Sequence, residues 1–157
     1  MSDPFALLGI APGFFLERAT LDTHLRQALC LCHPDRFAGH SEALRREAEE
    51  KACALTQAFA DLKDPIKRAH CLLAYLGHTG ELPPMEAAFL AESMLLQEEI
   101  EEDPRALMPL LRNRLCEMED FLEQAFHAQE KDAFARHLGH YLVFKRLEEH
   151  AHAAATA

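Results

Sequence analysis

His24, Cys30, Cys32, His33 and Cys53 are residue types that hold a transition metal or build a thiol nucleophile, and the first four crowd between positions 24 and 33. A structural zinc site asks for four converging ligands, commonly arriving as C-x2-4-C or H-x3-5-H pairs. Cys30-x-Cys32 on a helix points its two sulfurs to nearly opposite sides, so this spacing does not build such a site. The simpler role for these cysteines is that of small buried hydrophobes. His137 and His140, at i and i+3 with Glu148, His150 and His152 beyond, are better spaced for a surface metal; the competing reading is of exposed helical histidines. For nucleophilic catalysis, Cys32 and His33 are chain neighbours that do not face each other on a helix, and no third group orients them. The chain has 6 glycines and none forms a G-x-G or Walker arrangement, so no phosphate loop is expected. No catalytic residue, metal site or cofactor is assigned.

The elements that position these residues all read as helix. Val occurs once, at Val143, and Ala, Leu, Glu and Arg dominate between breakers, a pattern for an all-α chain. Asp3 and Pro4 signal a short first helix to about Leu8, closed by Gly9 and Pro12-Gly13. A second helix from about Thr20 carries Leu21, Leu25, Ala28, Leu29 and Cys32 on one stripe, and Pro34 discourages His33 from remaining helical. After a loop to about His40, Ser41 caps a third helix. Its inward stripe is Leu44, Ala48, Lys51, Ala52, Leu55, Ala58, Phe59 and Leu62, so that helices two and three pair antiparallel. Asp64-Pro65 opens a fourth helix that stops at Gly77.

The segment GHTGELPP, Gly77 to Pro84, is the densest cluster of breakers and marks a domain boundary. Residues 1–76 form one domain, 77–84 a linker, 85–152 a three-helix bundle and 153–157 a frayed tail. The bundle helices are expected at about Met85 to Glu102, Pro104 to Gln129 with Asp103 as cap, and Lys131 to about His152.

Composition narrows the function classes. A net charge of -10, from 26 acidic and 16 basic side chains, disfavours a sequence-independent grip on nucleic acid and favours a basic or protein partner. The five scattered cysteines, with no signal peptide in MSDPFALLGI, predict reduced thiols and a cytoplasmic location. No run approaches the roughly 20 apolar residues that would span a membrane.

His33-Pro34-Asp35-Arg36-Phe37 sits where the second helix ends, an arrangement that presents a carboxylate to an arginine fork at little ordering cost. Together with Phe5-x-Leu7-Leu8-Gly9-Ile10 before it and Gln57-Ala58-Phe59-Ala60-Asp61-Leu62-Lys63-Asp64-Pro65 after it, the stretch resembles a J domain. In that family the His-Pro-Asp loop and the adjacent helix engage a DnaK-class ATPase chaperone and stimulate its ATP hydrolysis. The resemblance gives His33, Pro34 and Asp35, with Arg26 and Arg36, the chaperone-binding role. Arg26, His24 and Arg36 supply the basic face, whereas Leu31 and Gln27 stand where a basic residue often occurs.

The segments Pro65-Ile66-Lys67-Arg68-Ala69, Leu72-Leu73, Pro84-Met85, Ala88-Phe89-Leu90 and Glu98-Glu99-Ile100 extend the likeness. From about Asp3 to Glu149 the chain is similar to the HscB type of J-domain protein, which serves iron–sulfur cluster assembly. That resemblance implies an HscA-like chaperone and an IscU-like scaffold as partners, with the scaffold bound by Leu90, Ala91, Met94, Leu95 and Glu98 and by Tyr141 of the last helix. Ala91 is smaller than the family's usual residue, and Leu95 replaces a common acidic one.

Helical geometry bears on the same region. At roughly 100° per residue, Phe89, Leu96 and Ile100 make one stripe fit for a core, while Leu90 and Met94 lie about a quarter-turn away beside Gln97. Two readings stand, a wide core stripe or an exposed patch for a partner. The acidic run Glu98 to Asp103 is likewise either a solvated helix end or a feature that steers a basic rim. The leading expectation is a non-enzymatic co-chaperone. The alternatives are a J-domain protein with another client, its bundle a generic adaptor or dimerisation module, and a small metal-binding helical protein.

Overall fold

Asp3 starts the fold as its position requires: its carboxylate accepts from the Phe5 amide at 3.0 Å, and Pro4 takes the first helical position. Gly9 closes the helix at φ 65°, a conformation that costs glycine little. The computed structural model describes residues 3–37 and 39–156, with the side chains of Pro34 and Asp35 outside that description. Among the described residues the elements are all helical: α1 (Pro4–Leu8), α2 (Arg18–Leu31), a 3-10 turn (Pro34–Phe37), α3 (Glu42–Lys63), α4 (Pro65–Tyr75), α5 (Ala87–Glu102), α6 (Pro104–His127) and α7 (Lys131–Thr156). They divide into two compact units, Met1–Tyr75 and Leu76–Ala157. The all-α class read from the sequence holds.

In the first unit, α2 and α3 form a hairpin, with α1 packed on both and α4 on α3. Phe5, Phe14, Leu21, Leu55, Leu62 and Leu72 are buried there. Burying such side chains contributes roughly 1.5–3 kcal/mol each before ordering costs. The α3 stripe is buried at Ala48, Leu55, Ala58 and Leu62, but Leu44 is exposed at 42% and Lys51 is exposed as well, so the expected inward stripe begins later. Ser41 Oγ accepts from the Leu44 amide at 3.4 Å, and the Asp64 carboxylate accepts from the Ile66 and Lys67 amides at 2.8 and 3.2 Å.

Arg68 is the buried cation of this unit, 9% exposed. Its guanidinium donates to the Leu62 carbonyl at 2.6 Å, to the Lys63 carbonyl at 3.5 Å and to the Phe14 carbonyl, and it lies 5.9 Å from the Phe14 ring centroid. Two of those carbonyls end α3, where orphan acceptors and the negative pole of the helix favour a cation.

In the second unit, α6 packs along α7 and α5 lies against both. Ile100, Leu111, Leu122, Phe134, Leu138 and Tyr141 are fully buried. Asp103 caps α6 by accepting from the Ala106 amide at 3.1 Å. The tail expected to fray is helical through Thr156, since alanine has the highest helix propensity and Arg105 donates to the Ala155 carbonyl at 3.1 Å.

Two groups of sequence expectations need correcting. Cys32 is buried, yet Cys30 and Cys53 are exposed, so packing explains only the first. His137 and His140 are not exposed helical histidines. His137 stacks on Phe121 at 5.1 Å and His140 on Phe89 at 3.9 Å, rings supplied by α6 and α5. Burial, with His140 and Arg136 nearby, pushes the His137 pKa down. His140 Nε2 lies 3.4 Å from Glu86 Oε2 but is buried without an aligned hydrogen bond, so that contact is an electrostatic one at most. Among the described residues no three His, Cys, Asp or Glu side chains converge as a metal site would require.

Candidate functional site

The first site forms where α2 ends. Cys32 closes the helix, its amide donating to the Leu29 carbonyl at 3.0 Å, so His33 already stands outside it. Main-chain bonds then hold the turn: the Arg36 amide donates to the His33 carbonyl at 3.0 Å and the His40 amide to the Phe37 carbonyl at 3.0 Å. Arg36 Nη1 reaches back to the Cys30 carbonyl at 3.4 Å, a placement that favours its charge at a helix C-terminus. His33 and Arg36 are exposed at this turn.

Arg26, exposed one turn before Cys30, donates from Nε to the Asp22 carbonyl at 3.3 Å. At roughly 100° per residue, positions 26 and 30 follow one face, so Arg26 shares the side of α2 that leads to Cys30 and the turn. The Pro34 and Asp35 side chains, on which most of the chaperone contact was expected to rest, lie outside the described residues. His24 is not part of the basic face: its Nδ1 sits 2.9 Å from the Leu8 carbonyl, which places the proton on that nitrogen and ties α2 to α1. Leu31, 60% exposed, adds an apolar side chain near the turn.

The second site is the outer face of α5. Leu96 and Ile100 are buried, and Phe89 packs against His140 and Phe144, whereas Leu90, Met94 and Leu95 are exposed at 45%, 65% and 60%. At roughly 100° per residue, Leu90, Met94, Ala91, Glu98 and Leu95 fall on the side opposite Phe89, Leu96 and Ile100. The helix therefore has two apolar stripes, one buried and one facing solvent. The ambiguity in the sequence resolves to an exposed patch. Ala91 and Glu98 are exposed with it, and Arg114 of α6 joins Glu92 at 3.3 Å and Glu117 at 3.2 Å along its margin.

Tyr141 departs from this surface. It is 0% exposed, its hydroxyl donates to Glu119 Oε1 at 3.0 Å, and its ring belongs to the bundle core. Its placement among the scaffold contacts is corrected to a core position. Tyr141→Phe is expected to lower stability by about 1 kcal/mol, or about 4–8 °C in melting temperature, and to leave partner binding within about twofold. Thermal denaturation and binding titration check this; weakened binding at an unchanged melting temperature would return Tyr141 to the surface.

The Cys71 thiol is pushed up by burial and by Asp61 and Asp3, which disfavours the thiolate form a nucleophile needs. What the two sites offer is contact: a polar turn in one unit and an apolar face in the other.

No family model matches the chain. Over 103 residues it is 41% identical to the co-chaperone protein HscB homologs of Vibrio vulnificus strains YJ016 and CMCP6, a segment that covers 64% of this chain and 60% of each relative. The match thus spans about three fifths of the relatives' length. Among solved structures, chaperone HscB from Vibrio cholerae superposes with a TM-score of 0.81 at 26% identity, covering 99% of this chain and 98% of that one. Human co-chaperone protein HscB superposes with a TM-score of 0.80 at 24% identity, covering 98% and 82%, and supports the fold alone. With its helix order shared along nearly the whole length and its sequence shared over the matched segment, the chain resembles J-domain proteins of the HscB type.

Proposed function

We propose that the chain is a co-chaperone of iron–sulfur cluster assembly that joins two proteins without reacting with either. The first unit contacts an HscA-like, DnaK-class ATPase through His33, Pro34 and Asp35, flanked by Arg26 and Arg36, and stimulates ATP hydrolysis. The second unit holds an IscU-like scaffold on the α5 face made by Leu90, Ala91, Met94, Leu95 and Glu98. Covalent linkage of the two sites raises the scaffold's effective concentration at the ATPase. The observation that carries this reading is the second apolar stripe of α5, which leaves Met94 65% exposed on a helix whose core needs are already met. A surface of that kind calls for a partner.

The acidic run Glu98 to Asp103 continues from the patch and would steer a basic rim on the scaffold. Among the described residues no helix is long and apolar enough to cross a membrane. Free cysteines and the net charge of -10 support a cytoplasmic protein that leaves nucleic acid aside.

The test is the paired substitution Leu90→Ser with Met94→Ser. Binding of the scaffold, measured by titration calorimetry, is expected to weaken by more than about tenfold, since exposed apolar anchors concentrate interface energy. The melting temperature should move by no more than about 2 °C, because neither residue is core. A large drop in melting temperature with unchanged binding would show the reverse. Pull-down of some other client in place of the scaffold would favour the adaptor reading of the bundle.

A further inference from the structure

Beside the apolar face, a groove of about 480 Å³ runs between α5 and α7, lined by Ser93, Gln97, Val143, Arg146, Leu147 and His150. Val143 and Leu147 give it an aliphatic floor, and its polar groups are a guanidinium, an imidazole, an amide and a hydroxyl. In a chain with 26 acidic side chains, none lines this groove.

The register of α7 explains that exclusion. Val143, Arg146, Leu147 and His150 follow i, i+3, i+4 and i+7 on one face, while Glu148 falls about 100° beyond its edge at Leu147 and Glu149 about 60° beyond its edge at Arg146. Glu148 pairs with Lys145 at 2.9 Å, and both glutamates line a separate groove with Arg112 and His152. Arg146, by contrast, has no carboxylate partner among the described residues.

The α5 side of the groove leads directly to the exposed patch. Leu90, Ser93 and Gln97 share one edge of the helix, and Ser93 Oγ donates to the Leu90 carbonyl at 2.8 Å. That bond occupies the hydroxyl proton, so the donors left to meet an anion are Arg146, Gln97 and His150. An apolar side chain seated on Leu90 and Met94 would place its chain neighbour at the mouth of the groove.

We infer that this groove seats a carboxylate presented by a protein partner, an Asp or Glu side chain flanked by aliphatic residues, with Arg146 as its main contact. The inference deepens the proposed function and rests on it in taking α5 as a partner-binding helix. It adds a cationic recognition point beside the patch.

The test uses the full chain, isotopically labelled for NMR, titrated with an acetylated and amidated peptide Leu-Leu-Glu-Leu and with its Gln counterpart. The acidic peptide is expected to shift the amides of Ser93, Gln97, Arg146 and His150 and to bind roughly fivefold more tightly at low salt. Arg146→Gln should abolish that preference and weaken scaffold binding by a similar factor at an unchanged melting temperature. Equal binding of the two peptides, or a preference that survives in Arg146→Gln, would overturn the inference. So would self-association of the free chain that Arg146→Gln removes, which would give the groove to a second copy. If the scaffold fails to bind the native chain while the peptide preference persists, the scaffold assignment fails and the groove stands.

Discussion

Arg68→Ala is expected to lower the stability of the 1–75 unit by roughly 2–4 kcal/mol, because it strips buried carbonyls of a charge-assisted donor. A unit of this size commands about 4–11 kcal/mol in total, so the loss is a large share of it. The midpoint of thermal unfolding should fall by roughly 8–32 °C, read from amide resonances of that unit as temperature rises. The guanidinium closes the end of α3 at Leu62 and Lys63 and pins the loop at Phe14, so one side chain joins three parts of the unit. Arg68→Met keeps most of the apolar stem but donates nothing, and is expected to lose nearly as much. Arg68→Lys, a single ammonium without the planar fork, should recover only part. A Met variant that melts with the native protein would show that the hydrogen bonds add nothing to stability.

How much of this was legible before any coordinates depends on how local each cause is. Asp3, Ser41, Asp64 and Asp103 each cap a helix within three residues of their own position, so their roles follow from neighbours in the chain. The two stripes of α5 follow from helical angle alone, but which stripe is covered depends on where α6 and α7 lie. Arg68 was hidden because a cation among Ile66, Ala69 and Leu72 reads as the solvated side of α4. The one available signal was its spacing of four from Leu72, which puts it on the buried stripe.

His137 and His140 were misplaced for a related reason: Phe121 and Phe89, which cover them, are remote in sequence. Tyr141 shows the limit of resemblance, which carries a position but not its burial. The end of α7 was underestimated because AHAAATA lacks a periodic stripe, although its alanines favour helix regardless.

Asp35→Ala carries the other large expected effect, on function and not on folding. The turn that bears Asp35 is closed by main-chain bonds from Arg36 to His33 and from His40 to Phe37, which an alanine at position 35 leaves in place. The proposed scaffold surface lies in the other unit, so scaffold binding should be unaffected. A carboxylate that meets an arginine fork makes a charge-assisted, two-point contact, and alanine cannot supply either bond. Loss of one such contact costs roughly 2–5 kcal/mol, enough to suppress productive docking by more than about tenfold.

The decisive measurement is ATP turnover by an HscA-like chaperone with this chain and an IscU-like scaffold, each alone and together. The proposed function predicts that the chain raises turnover, that scaffold and chain together raise it further than either does, and that Asp35→Ala removes the chain's contribution while binding the scaffold normally. Undiminished stimulation by Asp35→Ala, or no stimulation by the native chain, would contradict it.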